Sequence, residues 1–250
     1  MSAVVTPSPP LARLRDGLAA LPGGAAWDAW RTAQFDRLGR LGLPTVRDEA
    51  WKYANVRLLE RRVAAPAAVQ PLSVDAVAPL LPEVPGSRLV FVDGRFAPGD
   101  EVDERVRLLN AVLLTDGAHL VVARGVAVAE PVNVVFVRTA GAAYARLVVD
   151  VAAHSSLAIV EHHVALGDAE TFAAPVVDVR LADGASLDHY RIQLQGAKAV
   201  ATDDVQVHVG RDARYVHHTH AFGGQYARTD LRVRLAAPGA AQRYRAVREE

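Results

Sequence analysis

Three histidines lie within four residues of one another in segment 215–221, whose sequence is YVHHTHA. On a β-strand, His218 and His220 would project from one face and His217 from the other, because successive side chains alternate. Two neutral imidazoles on one face can chelate iron, zinc or copper. Residues 221–225, AFGGQ, contain no carboxylate that would complete such a site. Two hypotheses are open: His218 and His220 are metal ligands, or these histidines are structural or solvent-facing.

Two other groups of side chains could do chemistry, and the sequence favours a structural role for both. Glu161 and His163 would share one face of a strand, which predicts a hydrogen-bonded pair rather than a reactive site. Ser186 and His189 are close in sequence, but the Gly-x-Ser-x-Gly pattern of a nucleophile elbow is missing its last glycine. We therefore assign no catalytic and no cofactor-binding residue.

The composition excludes several classes of protein. The 28 basic and 28 acidic residues cancel, and no basic block is longer than two residues, so neither nucleic acid nor an anionic membrane is an expected partner. The absence of cysteine rules out disulfides and thiolate-bound zinc or iron–sulfur clusters within this chain. No apolar run approaches the roughly 18 to 20 residues of a membrane span, and no signal peptide is evident. The expected compartment is the cytoplasm.

The residues that could do chemistry lie in a repeat that fills the second half of the chain. Each copy contains an alternating apolar strand, a tight turn and a second strand, and the turns recur after 29, 28 and 27 residues. A fixed period built from strands predicts a stacked β-solenoid, in which each unit buries its apolar face against its neighbours. The predicted turns are Ser155-Ser156, Gly184-Ala185, Asp212-Ala213 and Gly239-Ala240. Since no polar cap is present after the fourth copy, we expect a core that is incomplete at its C-terminal end.

The rest of the sequence predicts three regions: a disordered lead over 1–10, a helical region over 11–85 and the β core over 86–250. A helix is expected over 26–41, and Thr45 with Asp48 has the form of a capping box. Segment 88–96 predicts a hairpin around Asp93-Gly94. Segment 109–137 is expected to continue the strands, with Asp116-Gly117 as a turn.

Four separated motifs resemble the SufB/SufD family of iron–sulfur cluster assembly subunits. They are residues 42–59 (GLPTVRDEAWKYANVRLL), 88–96 (RLVFVDGRF), 109–122 (LNAVLLTDGAHLVV) and 223–240 (GGQYARTDLRVRLAAPGA). The position of the first motif near the start of the chain favours the SufD branch of that family.

The resemblance implies a mainly β fold: a right-handed parallel β-helix (β-solenoid) core preceded by a small helical N-terminal region. It further implies a scaffold subunit, not an enzyme, whose partners are SufB-like and SufC-like subunits. No cofactor is expected within this chain, and an iron–sulfur cluster only in the assembled complex. An alternative from a different class is a metal-binding β-barrel enzyme that uses His218 and His220. A third is an inert fragment of a broken reading frame.

Overall fold

The computed structural model describes residues 9–18, 21, 25–64, 88–92, 105–114 and 116–249. Within them, the helices are α1 (Pro9–Leu18), α2 (Ala25–Leu41), α3 (Val56–Arg62) and α4 (Arg105–Leu113), with a 3-10 turn at Glu49–Trp51. α1 begins at Pro9, inside the stretch expected as a lead, and proline suits the first turn of a helix because its missing N–H would be unpaired there. None of the described helices is long and apolar enough to cross a bilayer.

The predicted contact between Thr45 and Asp48 is confirmed. The backbone N–H and the hydroxyl of Thr45 both donate to one carboxylate oxygen of Asp48, at 2.7 and 2.9 Å. Asp48 also forms an ion pair with Arg105 at 2.6 Å, and these donors hold the pKa of its carboxyl at about 2. The adjoining 3-10 turn buries Trp51, so the capped turn fixes an aromatic anchor of the helical region.

Helix α4 contradicts the expectation that strands continue through 109–137. Its apolar residues Val106, Leu109 and Leu113 are spaced by three and four, which is the helical period. Asn110 is fully buried and donates from Nδ2 to the carbonyl oxygens of Ala145 and Ala174, at 2.9 and 2.7 Å. These two bonds tie the helix to two successive turns of the solenoid. The expected turn at Asp116-Gly117 is also wrong, because both residues are within a strand.

Thirteen strands are present in the described residues, and they form two sheets in which neighbouring strands run parallel. Sheet A has the order β2-β5-β8-β10-β12, with β4 and β7 paired alongside β10; sheet B has the order β1-β3-β6-β9-β11-β13. The strands are β1 (Arg88–Val92), β2 (Asp116–Val122), β3 (Val132–Arg138), β4 (Gly141–Ala143), β5 (Ala145–Val151), β6 (Ser156–Ala165), β7 (Thr171–Ala173), β8 (Val176–Leu181), β9 (Ser186–Gln195), β10 (Ala199–Val209), β11 (Arg214–Gly223), β12 (Tyr226–Leu235) and β13 (Ala241–Glu249).

From β3 onward the chain passes repeatedly between the two sheets, and in two turns it forms two consecutive strands of sheet A, β4 with β5 and β7 with β8. Strands of one turn pair with the equivalent strands of the next turn. The result is a β-solenoid of about five turns, which confirms the predicted mainly β fold with a small helical N-terminal region. The β-barrel alternative is wrong, because the turns of the solenoid stack along one axis, whereas in a barrel a single sheet closes on itself. β1 pairs in parallel with β3, and the predicted hairpin turn at Asp93-Gly94 lies outside the described residues.

The tight turns of the repeat stack on one another two residues before β6, β9, β11 and β13. His154, Gly184, Asp212 and Gly239 occupy this position with φ values of 61°, 67°, 52° and 74°. The register pairs Ser156 with Ser186, so the first turn is one residue earlier than Ser155-Ser156. Histidine in a left-handed conformation hid this offset, since glycine is the residue that usually marks it.

Two apolar cores hold the molecule together. One lies between the sheets and contains Val149, Val179, Ile159 and Leu187, which face one another across the solenoid. The other lies where the helices cover part of the outer face of sheet A; it joins Leu14, Leu38 and Leu108 to Tyr144 and Phe172. The described helices therefore cover the side of that face where the strands begin, and they leave the C-terminal ends of strands β5 to β12 uncovered by helix.

Candidate functional site

The structure places His218 and His220 together on the outer face of β11, as the strand alternation predicts. Both are half-buried, and the ring of His218 stacks on Tyr190 of the neighbouring strand with 4.9 Å between centroids. No group of three or more histidine, aspartate or glutamate side chains with the geometry of a metal site occurs among the described residues. Metal binding by His218 and His220 stays a prediction, and His217 faces the opposite way.

His217 belongs to a cluster of polar side chains inside the solenoid. The inward-facing positions of sheet B are apolar where the strands begin: Leu157 and Leu187 share one register row. Four residues later the same strands place Glu161, Arg191 and Thr219 in one row. All three of these side chains are buried. The interior therefore has an apolar half and a polar half, and the polar half is the candidate functional site.

Glu161 is the centre of this cluster. Its Oε2 atom lies 2.8 Å from Nε2 of His163, which confirms the predicted pair, and its Oε1 atom lies 2.6 Å from Nε2 of His189 on the next turn. The guanidinium of Arg191 approaches the same carboxylate at 3.5 Å. Burial alone would raise the pKa of Glu161, but the charges of Arg191 and His189 outweigh it and hold that pKa well below its usual range. Glu161 is therefore an anion that accepts hydrogen bonds from both imidazoles.

The hydrogen bonds continue from His189 through the next turn. Tyr215 places its hydroxyl 2.9 Å from Nδ1 of His189 and 2.7 Å from Nδ1 of His217. Nε2 of His217 lies 2.8 Å from the hydroxyl of Thr219. The chain of contacts thus runs along the solenoid axis from β6 to β11, and it links three successive turns through side chains as well as through the backbone ladder.

Arg191 connects this chain to the opposite sheet. It is fully buried and donates from Nη2 to Oδ2 of Asp203 on β10, at 2.9 Å. Gln193 donates to the same oxygen at 2.6 Å. Burial would lower the pKa of Arg191, but Glu161 and Asp203 reverse that effect and raise it. The guanidinium is therefore a cation shared by two buried carboxylates, one from each sheet.

Three further titratable groups of the cluster are held in their neutral forms. Burial, reinforced by the nearby charges of His189 and Arg191, lowers the pKa of His217 to about 2. Burial and then Arg191 lower the pKa of His163. Burial and then Glu161 raise the pKa of Tyr215 well above its usual value. At neutral pH these three side chains act as hydrogen-bond donors and acceptors without net charge.

Glu161, His163 and His189 form a set of two imidazoles and one carboxylate, the donor types that bind iron or zinc. Arg191 opposes that use, since its Nη2 atom lies 3.1 Å from Nε2 of His163 and its Nε atom faces Glu161. A divalent cation there would be next to a fixed positive charge. All four residues are fully buried, so the cluster is closed to substrates. What the arrangement can do is fix the register of the turns and the spacing of the sheets.

Sequence reasoning found Glu161, His163 and His217 but missed Arg191, Asp203 and Tyr215, and it gave His189 a structural role without a partner. The missed signal is the phase of the alternation: in β6, β9 and β11 the inward positions are polar in the second half of each strand. When consecutive repeats carry polar residues at the same inward-facing position, where apolar residues are expected, those residues are predicted to contact one another between turns. Asp203 lies on the opposite sheet from Arg191, so only the structure could reveal their contact.

Two comparisons with known proteins agree with this architecture. Residues 135–248 match the family model described as SUF system FeS cluster assembly, SufBD core domain. The chain is also similar to the iron-sulfur cluster assembly protein SufD of Escherichia coli (strain K12), with 28% identity over 232 residues. The alignment covers 80% of this chain and 54% of that relative, so the chain spans about half the length of the curated relative it matches.

Proposed function

We propose that this SufD-like chain is a scaffold subunit for iron–sulfur cluster assembly that pairs its solenoid with a SufB-like subunit. The observation that carries the proposal is the coincidence of the SufBD core match with the solenoid. The matched residues, 135–248, run from within β3 to within β13, and their strands form continuous parallel ladders. In this proposal a SufC-like ATPase joins the same complex, in the cytoplasm, and its docking residues are not assigned.

The polar cluster supports a scaffold rather than an enzyme. Catalysis requires reactive groups that a substrate can touch, yet Glu161, His189 and Arg191 are enclosed between the sheets. The chain also has no cysteine with which to hold a cluster through thiolate ligands. In the proposal any iron–sulfur cluster is therefore cargo of the assembled complex, held largely by ligands from the other subunits.

Co-expression with the SufB-like and SufC-like subunits of the same organism tests this proposal. A tagged version of the protein should retain both subunits, and a tagged unrelated protein expressed in the same way should retain neither.

Failure of the wild-type protein to retain either subunit would contradict the proposal, because it would exclude membership of the complex.

A further inference from the structure

A polar pocket of about 210 Å³ opens on the outer face of sheet A, beside α4. Residues from α4, β5, β8 and β10 line it, and the side chains that matter for binding are Arg107, Arg146, Arg180, Asp178 and His208. The pocket is outside the solenoid, on the opposite side of the sheet from the polar cluster. The proposed scaffold function makes no use of it.

The lining carries more positive than negative charge. It holds three guanidinium groups and one carboxylate, while Asp204 and Asp150 pair with Arg107 and Arg180 from outside the lining. With Arg232, which pairs with Asp204, four guanidinium groups and three carboxylates leave one positive charge. The carboxylate of the lining is saturated: Arg107 donates to Oδ1 of Asp178, while Nε and Nη2 of Arg146 donate to Oδ2 at 3.0 and 2.5 Å. Burial would raise the pKa of Asp178, but the two arginines outweigh it and keep the carboxyl ionised. Asp178 therefore orients the cations without cancelling them.

Two of the three arginines are fixed before any ligand arrives. The side chains of Arg107 and Arg146 are only 4% and 7% exposed, and Arg107 also binds Asp204 at 2.5 Å. Asp204 is in turn paired with Arg232 at 2.6 Å. Because these ion pairs restrict the guanidinium groups, little conformational entropy would be lost when an anion binds.

Arg180 and His208 stand where the pocket meets a second depression. They are register neighbours on β8 and β10. Both also line an adjoining groove of about 440 Å³, whose other walls include Val121, Leu181 and Val209. The groove is mainly apolar, whereas the pocket is polar. Binding sites for small organic molecules combine these two properties, an apolar wall and a few convergent polar groups.

We propose that the pocket binds a small organic anion, with a phosphate or carboxylate group held by Arg107, Arg146 and Arg180 and an apolar body lying along the groove. Guanidinium groups bind both kinds of oxyanion through paired hydrogen bonds. Arg180 closes the site: its side chain is 55% exposed and lies 3.6 Å from Asp150, a loose pair that an anion can replace.

Calorimetric titration of the purified protein tests the proposal with four probes: inorganic phosphate, phenyl phosphate, benzoate and the uncharged benzyl alcohol. Phenyl phosphate or benzoate should bind more tightly than inorganic phosphate, which lacks the apolar body, and benzyl alcohol should not bind measurably. Tighter binding of phenyl phosphate than of benzoate would identify phosphate as the preferred oxyanion, and the reverse order would identify carboxylate. Affinity should fall as salt is raised, because ions screen the attraction between the anion and the guanidinium groups, above all the exposed Arg180.

Arg180→Gln should weaken binding of the preferred anion about tenfold, since it removes one charge-assisted contact. Arg214→Gln is the matched control: its side chain is 54% exposed and pairs with Asp188 at 3.1 Å, but it lies on sheet B. The proposal is overturned if none of the anions binds at millimolar concentration. It is equally overturned if benzyl alcohol binds as well as the anions do, or if the two arginine variants bind alike.

Discussion

Glu161 is the residue on which the interior of the solenoid depends most. It accepts hydrogen bonds from His163 and His189 and faces the guanidinium of Arg191, and all of these side chains are enclosed. A buried ion pair adds little net stability when compared with apolar packing, but removal of one partner leaves the other charge without compensation. The cluster therefore specifies how the turns align more than it strengthens the fold.

Glu161→Gln should lower the free energy of unfolding by about 1 to 3 kcal/mol, because the buried donors of His163, His189 and Arg191 lose their charged acceptor. Urea denaturation at pH 7 measures this change. Glu170→Gln is the matched control, since Glu170 is 70% exposed and its ion pair with Arg62 is at the surface; it should cost less than about 1 kcal/mol. Equal losses in both variants would show that the buried network does not constrain the interior.

The buried histidines predict a dependence of stability on pH. His163 and His217 have lowered pKa values in the folded protein, from an ordinary value of 6.5. Below pH 6.5 the unfolded chain takes up protons that the folded protein does not, so stability should fall with pH by roughly 1.4 kcal/mol per unit for each histidine. Glu161 adds to the loss only below its ordinary value of 4.5, because its own pKa is lowered.

His217→Gln should reduce the slope of unfolding free energy against pH between pH 6.5 and 5 by roughly 1.4 kcal/mol per unit. His220→Gln, on the outer face of the same strand, should leave the slope contribution of His217 in place. Denaturant titrations at several pH values measure both slopes. An unchanged slope in His217→Gln would mean that His217 is not held neutral in the folded protein.

At the scale of the elements, the features that depend on local periodicity were predictable from the sequence. The strand period and the recurring turns predicted the solenoid, and the period of three and four predicted α2. α4 was missed because Leu109, Val112 and Leu113 are also compatible with a buried strand when read over a short window. Contacts distant in sequence, from Asn110 to Ala145 and Ala174, decide in favour of the helix.

In the polar cluster, too, only contacts between residues close in sequence were predictable. Glu161 and His163 are two residues apart, so strand alternation was enough to pair them. Arg191 and Asp203 come from different sheets, and their contact depends on the distance between the sheets, which no local pattern contains. The outward placement of His218 and His220 was predictable, whereas the identity of the groups beside them, such as Tyr190, was not.

The geometry of Gly223 explains the first of the two glycines that begin motif 223–240. It ends β11 with φ of 69°, and a Cβ atom there would lie 2.2 Å from the carbonyl oxygen of Gln195. Gly167 has almost the same φ, 71°, but a Cβ atom there would meet nothing within 4 Å. The two positions share backbone strain and differ in crowding, so they form a matched pair.

Gly167→Ala should destabilise the protein by roughly 1 to 2 kcal/mol, the cost of a left-handed conformation for a residue with a side chain. Gly223→Ala should cost at least about 1 kcal/mol more, because a backbone oxygen must also move. Thermal unfolding of both variants measures the difference. If Gly223→Ala is no worse than Gly167→Ala, the close approach of β11 to β9 at Gln195 is not a constraint on the fold.

At the scale of the whole molecule, the helices and the solenoid divide the surface into regions with different roles. The helices cover the first half of the outer face of sheet A, while the second half carries Arg180, His208 and the anion pocket. A rigid stack that encloses one set of polar groups and presents another set on its outer face suits a subunit that organises other proteins.

The iron and acid-labile sulfide content of the purified complex tests the proposed function most directly. SufB-like and SufC-like subunits should be expressed with and without this protein and analysed per mole of the SufB-like subunit. The scaffold function predicts several-fold more iron and sulfide when this protein is present, and neither element on this protein alone. Equal iron and sulfide in its absence, or a stoichiometric cluster on this protein by itself, would contradict the account.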